Sequence, residues 1–170
     1  NEEIEYHDIG VSGMSDSEIV SLLSTGGAYV LDSSISFSSV QTIKVTDDLY
    51  LCLNGYNIEK VRFISNVTGK AIYITNCKET VSNIVNDSDN IAFSGNVELY
   101  GVNNNILVKS KKVTSDYTIS GETIVGKNFK AYGVDFTSYD ASSESGLAII
   151  IGTSSPRALT CSTLISCPTT

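Results

Sequence analysis

The chain is poor in the residues that most chemistry relies on. It has one histidine, His7, and two arginines, Arg62 and Arg157. Lysine and arginine together number 11 against 19 acids, giving a net charge of −8. Phosphate-backbone binding needs a basic stripe, so a nucleic-acid partner is not expected. An anionic membrane surface is not expected either, on the same ground. The longest aliphatic run, residues 147–151, is the length of a buried strand and far short of the roughly 18 apolar residues of a membrane span. No serine sits in G-x-S-x-G, no glycine-rich phosphate loop precedes a helix, and no Cys–His nucleophile pair is suggested. The cysteines lack C-x-x-C spacing and lie far from His7 in sequence, so a zinc site has no support. The sequence starts Asn-Glu-Glu without an initiator methionine or signal peptide. It is expected to be a mature or excised piece of a longer polypeptide.

What is present is a balanced globular composition, 41% apolar and 18% charged, in a length that suits one domain. Serine, threonine, asparagine and glycine are abundant, and most of the chain is short apolar runs broken by polar turns. This predicts an all-β solenoid or sandwich.

One stretch reads as a helix. Ser15 and Glu18 form a capping box, with serine at the N-cap and glutamate three residues on. Ile19, Leu22 and Leu23 then fall on one helical face, and Gly26 supplies the stop. Residues 1–14 are an arm or first strand, 15–26 the helix, and 27–170 the extended remainder. The helix must bury its apolar face, Ile19, Leu22 and Leu23 together. Covering the open end of the first coil would do so.

The clearest extended pattern is residues 47–60. Leu49, Leu51 and Leu53 alternate with Tyr50, Cys52 and Asn54, the period of a strand whose faces meet different surroundings. Asn54 and Gly55 then turn the chain, since both tolerate positive φ. Ile58 resumes the extended pattern, and no matching partner precedes closely enough for a hairpin. The L-x-L-N-G-x-x-I segment, following a helix, a Gly-Gly turn and a first strand, resembles the entry into right-handed parallel β-helices of the pectin-lyase-like type. Such domains occur in large secreted or wall-attached bacterial surface proteins. The resemblance implies a single-stranded right-handed parallel β-helix with a short N-terminal capping helix. Six or seven coils are expected, with residues 117–119 and 123–125 among the coil strands and 147–151 and 159–165 completing the series.

Asn54, Asn76 and Asn96 recur at about one-coil intervals. They read either as an asparagine ladder bonding backbone left unpaired at coil corners, or as ordinary turn residues. Cys52 and Cys77 are also about one coil apart and are expected to be buried thiols. Cys161 and Cys167 could bridge only across a turn.

The acids Asp47, Asp48, Asp87, Asp89, Asp135, Asp140 and Glu144 are the candidates for chemistry. Adjacent Asp47 and Asp48 superficially resemble the paired aspartates of polygalacturonase-like hydrolases, but that family's N-T-D, G-H-G and R-I-K segments are absent. No catalytic residue is assigned. Asp87 and Asp89 are alternate carboxylates with the oxygen chemistry for a weak Ca²⁺ site, without the rest of a calcium loop. No other cofactor is expected. Asn66 and Asn86 open sequons. Tyr50, Tyr56, Tyr73 and Tyr100 fall on successive runs. If they point outward among Asn, Ser and Thr, they could stack on sugars or meet a protein partner; otherwise they are core or plain surface residues.

The expectation is a monomeric, non-enzymatic module of an exported bacterial surface protein, extracellular or on the cell surface, acting as adhesin, stalk or scaffold. Its partner would be a glycan or a host or bacterial surface protein. The alternatives are a polysaccharide lyase or glycoside hydrolase, and a carbohydrate-binding module.

Overall fold

The computed structural model describes residues 4–111, 116–119, 122–125 and 128–137. The chain begins with β1 (His7–Ile9), the helix α1 (Asp16–Ser24), β2 (Gly27–Leu31) and β3 (Ile35–Lys44). It continues through β4 (Leu49–Cys52), β5 (Ile58–Ser65), β6 (Ile72–Thr75), β7 (Ser82–Asn86) and β8 (Phe93–Gly95). Then follow β9 (Val97–Tyr100), β10 (Ile106–Ser110), β11 (Asp116–Ile119), β12 (Glu122–Val125), β13 (Phe129–Tyr132) and β14 (Val134–Thr137).

Strands of one sheet alternate along the chain with strands of another. The first sheet runs β1-β2-β4-β6-β9-β13 and the second β3-β5-β7-β10-β14, with β8 beside β5. Pairing within both sheets is parallel throughout. Among the described residues the result is a parallel β-solenoid of about five turns, against six or seven expected over the whole chain. β11 and β12 pair antiparallel as a separate hairpin, so residues 117–119 and 123–125 add no coil. The runs at 147–151 and 159–165 lie outside the described residues, as do Cys161 and Cys167.

Period-two alternation builds the core. Leu49, Ile72, Val97 and Phe129 stand in register on successive coils, and so do Leu51, Ile74, Leu99 and Ala131. From the second sheet, Ile35, Ile58, Ile84, Val108 and Phe136 complete the interior. All but Phe136, which is partly buried, are at most 3% exposed. Each fully buried aliphatic side chain contributes about 1.5–3 kcal/mol, so the rows dominate stability.

The helix forms as its sequence signals. Ser15 Oγ accepts from Glu18 N at 3.2 Å, and Ser15 N donates to Glu18 Oε2 at 2.7 Å. Asp16 Oδ2 accepts from Ser38 N at 2.9 Å and from Ser38 Oγ at 2.6 Å, tying the helix to β3, the end strand of the second sheet. α1 therefore covers that end while β1 extends the first sheet. Ile19 and Leu23 are buried. Leu22, expected to be buried with them, is only partly buried, at the flank of the face, where it still packs against the core. The i, i+4 pair Ile19 and Leu23 forms the centre of the contact. Gly26, at φ +88°, allows a close crossing: a Cβ there would stand 2.8 Å from Asp48 O.

The expectation of a buried thiol at Cys52 is corrected: this residue is fully buried but disulfide-bonded. It lies on the outer side of β4, where Val30, Tyr6 and Cys77 pack in a cluster separate from the main core. Burial is the same for a thiol and for a bridged cysteine, so the alternation that placed Cys52 could not tell the two apart.

Candidate binding face

Two rows of side chains project from the outer face of the first sheet. The first is Ala28, Tyr50, Tyr73, Glu98 and Lys130; the second is Val30, Cys52, Thr75, Tyr100 and Tyr132. They arise because the opposite parity of β2, β4, β6, β9 and β13 fills the core. Three of the four tyrosines singled out in the sequence, Tyr50, Tyr73 and Tyr100, thus share a face. Tyr56 does not: it is exposed at the corner after Gly55.

The rings of Tyr50 and Tyr73 stack with centroids 4.8 Å apart at 15°, and those of Tyr100 and Tyr132 at 5.4 Å and 14°. Tyr100 donates its phenol proton to Glu98 Oε1 at 2.6 Å, and Lys130 Nζ stands 3.8 Å from the same oxygen. Burial raises the Tyr50 phenol above its ordinary value, reinforced by the Asp48 and Glu98 charges. Burial and then Glu98 do the same at Tyr73. At Tyr100, burial followed by the bond to Glu98 drives the shift well upward. These phenols therefore stay protonated at neutral pH. Because the rings stack on neighbouring coils, they turn mainly edges and hydroxyls outward rather than ring faces.

Asp47 and Asp48 lie at the turn into β4, where both carboxylates are committed. Asp47 Oδ1 accepts from Asp48 N at 2.8 Å and pairs with Lys70 Nζ at 2.7 Å. Asp48 Oδ1 accepts from Ala71 N, one coil on, at 2.9 Å. The Lys70 hydrogen bond, then the Asp48 amide, hold the Asp47 carboxyl below its ordinary range. Asp135 is exposed on β14 in the other sheet, so it does not join them. Asp140 and Glu144 lie outside the described residues.

Asp87 and Asp89 follow β7. Asp89 Oδ1 pairs with Lys111 Nζ at 3.1 Å, whereas Asp87 Oδ1 is buried without a hydrogen-bond partner. Among the described residues, no group of three His, Cys, Asp or Glu side chains comes together to hold a metal. Asn86, the first residue of one sequon, is fully buried, with its amide bonded to Asn90 O at 2.8 Å; Asn66 is exposed. Arg62 is a structural bridge, Nε to Ile91 O at 2.8 Å and Nη1 to Thr42 Oγ1 at 3.2 Å.

The asparagines divide between two corners. Asn54 takes φ 53° and donates to Leu31 O on the preceding coil at 3.1 Å. Gly55 N donates to Asn76 Oδ1 at 3.0 Å. Asn76 Nδ2 reaches Thr80 O at 2.9 Å and Asn105 O at 2.8 Å, and Asn105 Nδ2 returns to Asn76 O at 2.7 Å. Asn96 is not in this row: it precedes β9 and donates to Lys70 O at 3.1 Å, at the aspartate corner. The third member is Asn105, which sequence reasoning missed. Its signal was the run Asn103, Asn104, Asn105, at a different offset from its strand. Glu98 was missed too, although its alternation in Val-Glu-Leu-Tyr places it outward.

No protein-family model, curated protein or solved structure matches the chain.

Proposed function

We propose that the chain is a stiff, non-enzymatic module of an exported bacterial surface protein, built on the pectin-lyase-like β-helix plan. It serves as stalk or scaffold and offers the half-open row Tyr50, Tyr73, Glu98 and Lys130 on the outer face of its first sheet for adhesive contact with a glycan or a surface protein; the neighbouring row from Val30 to Tyr100 is already covered. The observation that carries the proposal is the register of that face. Successive coils are tied outside as well as inside, by stacked tyrosines, by Lys130 to Glu98 and by Asp48 to Ala71. Such ties suit a bearing element. Hydrolysis of a glycosidic bond instead uses two carboxylates facing each other across the bond, one with a raised pKa. The Cys52 disulfide supports export, since such bonds persist in oxidising compartments.

The purified chain, incubated with pectins, alginate, glycosaminoglycans and mucin glycans, with and without Ca²⁺, is expected to release no product. New reducing ends or unsaturated sugars, abolished by Asp48→Asn or Glu98→Gln, would overturn the proposal. One observation favours the carbohydrate-binding alternative. The Tyr50–Tyr73 stack ends at Ala28, whose methyl group supplies no ring against the second face of Tyr50. Glycan binding without turnover, weakened roughly tenfold by Tyr50→Ala, would select that reading.

A further inference from the structure

Tyr50 and Tyr73 are register partners on β4 and β6, with near-parallel rings 4.8 Å apart. Adjacent strands impose this spacing, so the rings are held together before any reaction. Both side chains are half-buried, packed enough to keep one orientation and open enough to meet a small oxidant. We infer that this pair is an oxidative cross-linking site, at which one-electron oxidation joins the rings, ortho carbon to ortho carbon, as an intramolecular dityrosine between two coils.

The step balances with a haem peroxidase and hydrogen peroxide as oxidant. Each phenol loses one electron and one proton. The two tyrosyl radicals form a carbon–carbon bond, and each ring moves its ortho hydrogen to oxygen to restore the phenol. Two hydrogen atoms leave the protein, and one peroxide takes them up as two waters. Fixed proximity makes this coupling effectively unimolecular, so it outruns coupling between chains. The second stack is the less reactive one. Its rings are 5.4 Å apart, and Tyr100 is 6% exposed with its hydroxyl on Glu98. A bond between Tyr50 and Tyr73 closes a loop between coils and restrains the unfolded chain. The inference stands on this geometry and does not require the scaffold reading.

The test treats the 170-residue chain with a haem peroxidase and limiting peroxide at several protein concentrations, then maps linked peptides by mass spectrometry. The expected product joins Tyr50 to Tyr73, in a yield per chain independent of protein concentration and roughly tenfold above any other tyrosine pair. Its urea midpoint should lie above that of the untreated chain. Tyr73→Phe keeps the stacked ring and should melt like the parent, yet leave Tyr50 unlinked. Predominant links elsewhere would overturn the inference, as would a yield that rises with protein concentration. So would an equal Tyr50–Tyr73 yield in urea-unfolded chain, or undiminished linkage of Tyr50 in Tyr73→Phe.

Discussion

The coils turn two corners that solve one problem by different means. Where the first sheet ends, neutral amides do the work: Asn76 is fully buried, Asn105 is 5% exposed, and each bonds backbone on its own and a neighbouring coil. Where the first sheet begins, the bonds come from carboxylates nearer solvent, Asp47 to Lys70 and Asp48 to Ala71. The difference follows from burial. A charged group inside would be heavily penalised for lost hydration, whereas a primary amide offers two donors and an acceptor at far lower cost. A carboxylate at the rim keeps its water and still accepts from a backbone amide. The amide corner should therefore dominate stability.

The largest effect is expected from Asn76→Ala. It removes the acceptor for Gly55 N and Lys78 N and the donor to Thr80 O and Asn105 O. Each buried backbone group left unpaired costs about 1–3 kcal/mol, so a loss of about 3 kcal/mol or more is expected by urea unfolding. Asn96→Ala, which loses one bond to Lys70 O, should cost about 1 kcal/mol. Equal losses would erase the distinction between the corners.

Next is Gly55→Val. Gly55 has φ +81°, where a β-branched residue is strained by about 1–3 kcal/mol, and its Cβ would stand 3.4 Å from the Cβ atoms of Lys78 and Thr80. Tyr56→Val, at the exposed neighbour, should stay within about 0.5 kcal/mol. Comparable effects would show that this corner does not depend on its left-handed residue.

At the aspartate corner Asp48→Ala should cost about 1 kcal/mol, since Ala71 N loses its acceptor in a part-buried site. Asp48→Asn keeps an oxygen there and should recover most of the loss. Failure of Asn to rescue would mean that charge, rather than the hydrogen bond, matters at this position.

The sequence was most legible where local chemistry and tertiary need coincide. Ser15 and Glu18 give a capping box because those atoms find each other within one turn. Leu49 and Leu51 point inward because strand period leaves them no other face. Parity likewise put Tyr50 and Tyr73 on one face once β4 and β6 were stacked. The failures lie where spacing varies. Asn54, Asn76 and Asn96 looked like one row because their intervals match a coil, but Asn105 reaches the buried corner from the other end of its turn. The hairpin of β11 and β12 has the same short apolar runs as coil strands, and only pairing direction separates them. Of the helical stripe Ile19, Leu22 and Leu23, the first and last are buried as expected, and Leu22 is only partly so.

The smallest effect is expected at the Asp47–Lys70 pair, and its pH dependence identifies it. Both side chains are exposed, at 39% for Lys70 and 61% for Asp47, so water and salt screen them. The Lys70 hydrogen bond lowers the Asp47 carboxyl below its ordinary value of 3.8, and the same bond raises Lys70 above 10.5. A lowered acid stabilises the fold above its unfolded pKa and loses that contribution as pH falls through the folded one. A raised base stabilises below its unfolded pKa and loses it as pH rises through the folded one. The pair therefore contributes a plateau across neutral pH that fades below 3.8 and above 10.5. Asp16 and Glu18 are also lowered, by their bonds to Ser38 and Ser15, so the whole chain weakens in acid for several reasons. The informative quantity is the difference between parent and Asp47→Asn melts. It should be small, constant from about pH 5 to 9, shrink towards zero in stronger acid, and diminish in high salt. A difference that persists in acid would mean that it does not arise from the Asp47 charge and its pairing with Lys70, and the bond to Asp48 N, which asparagine should preserve, would not account for it either.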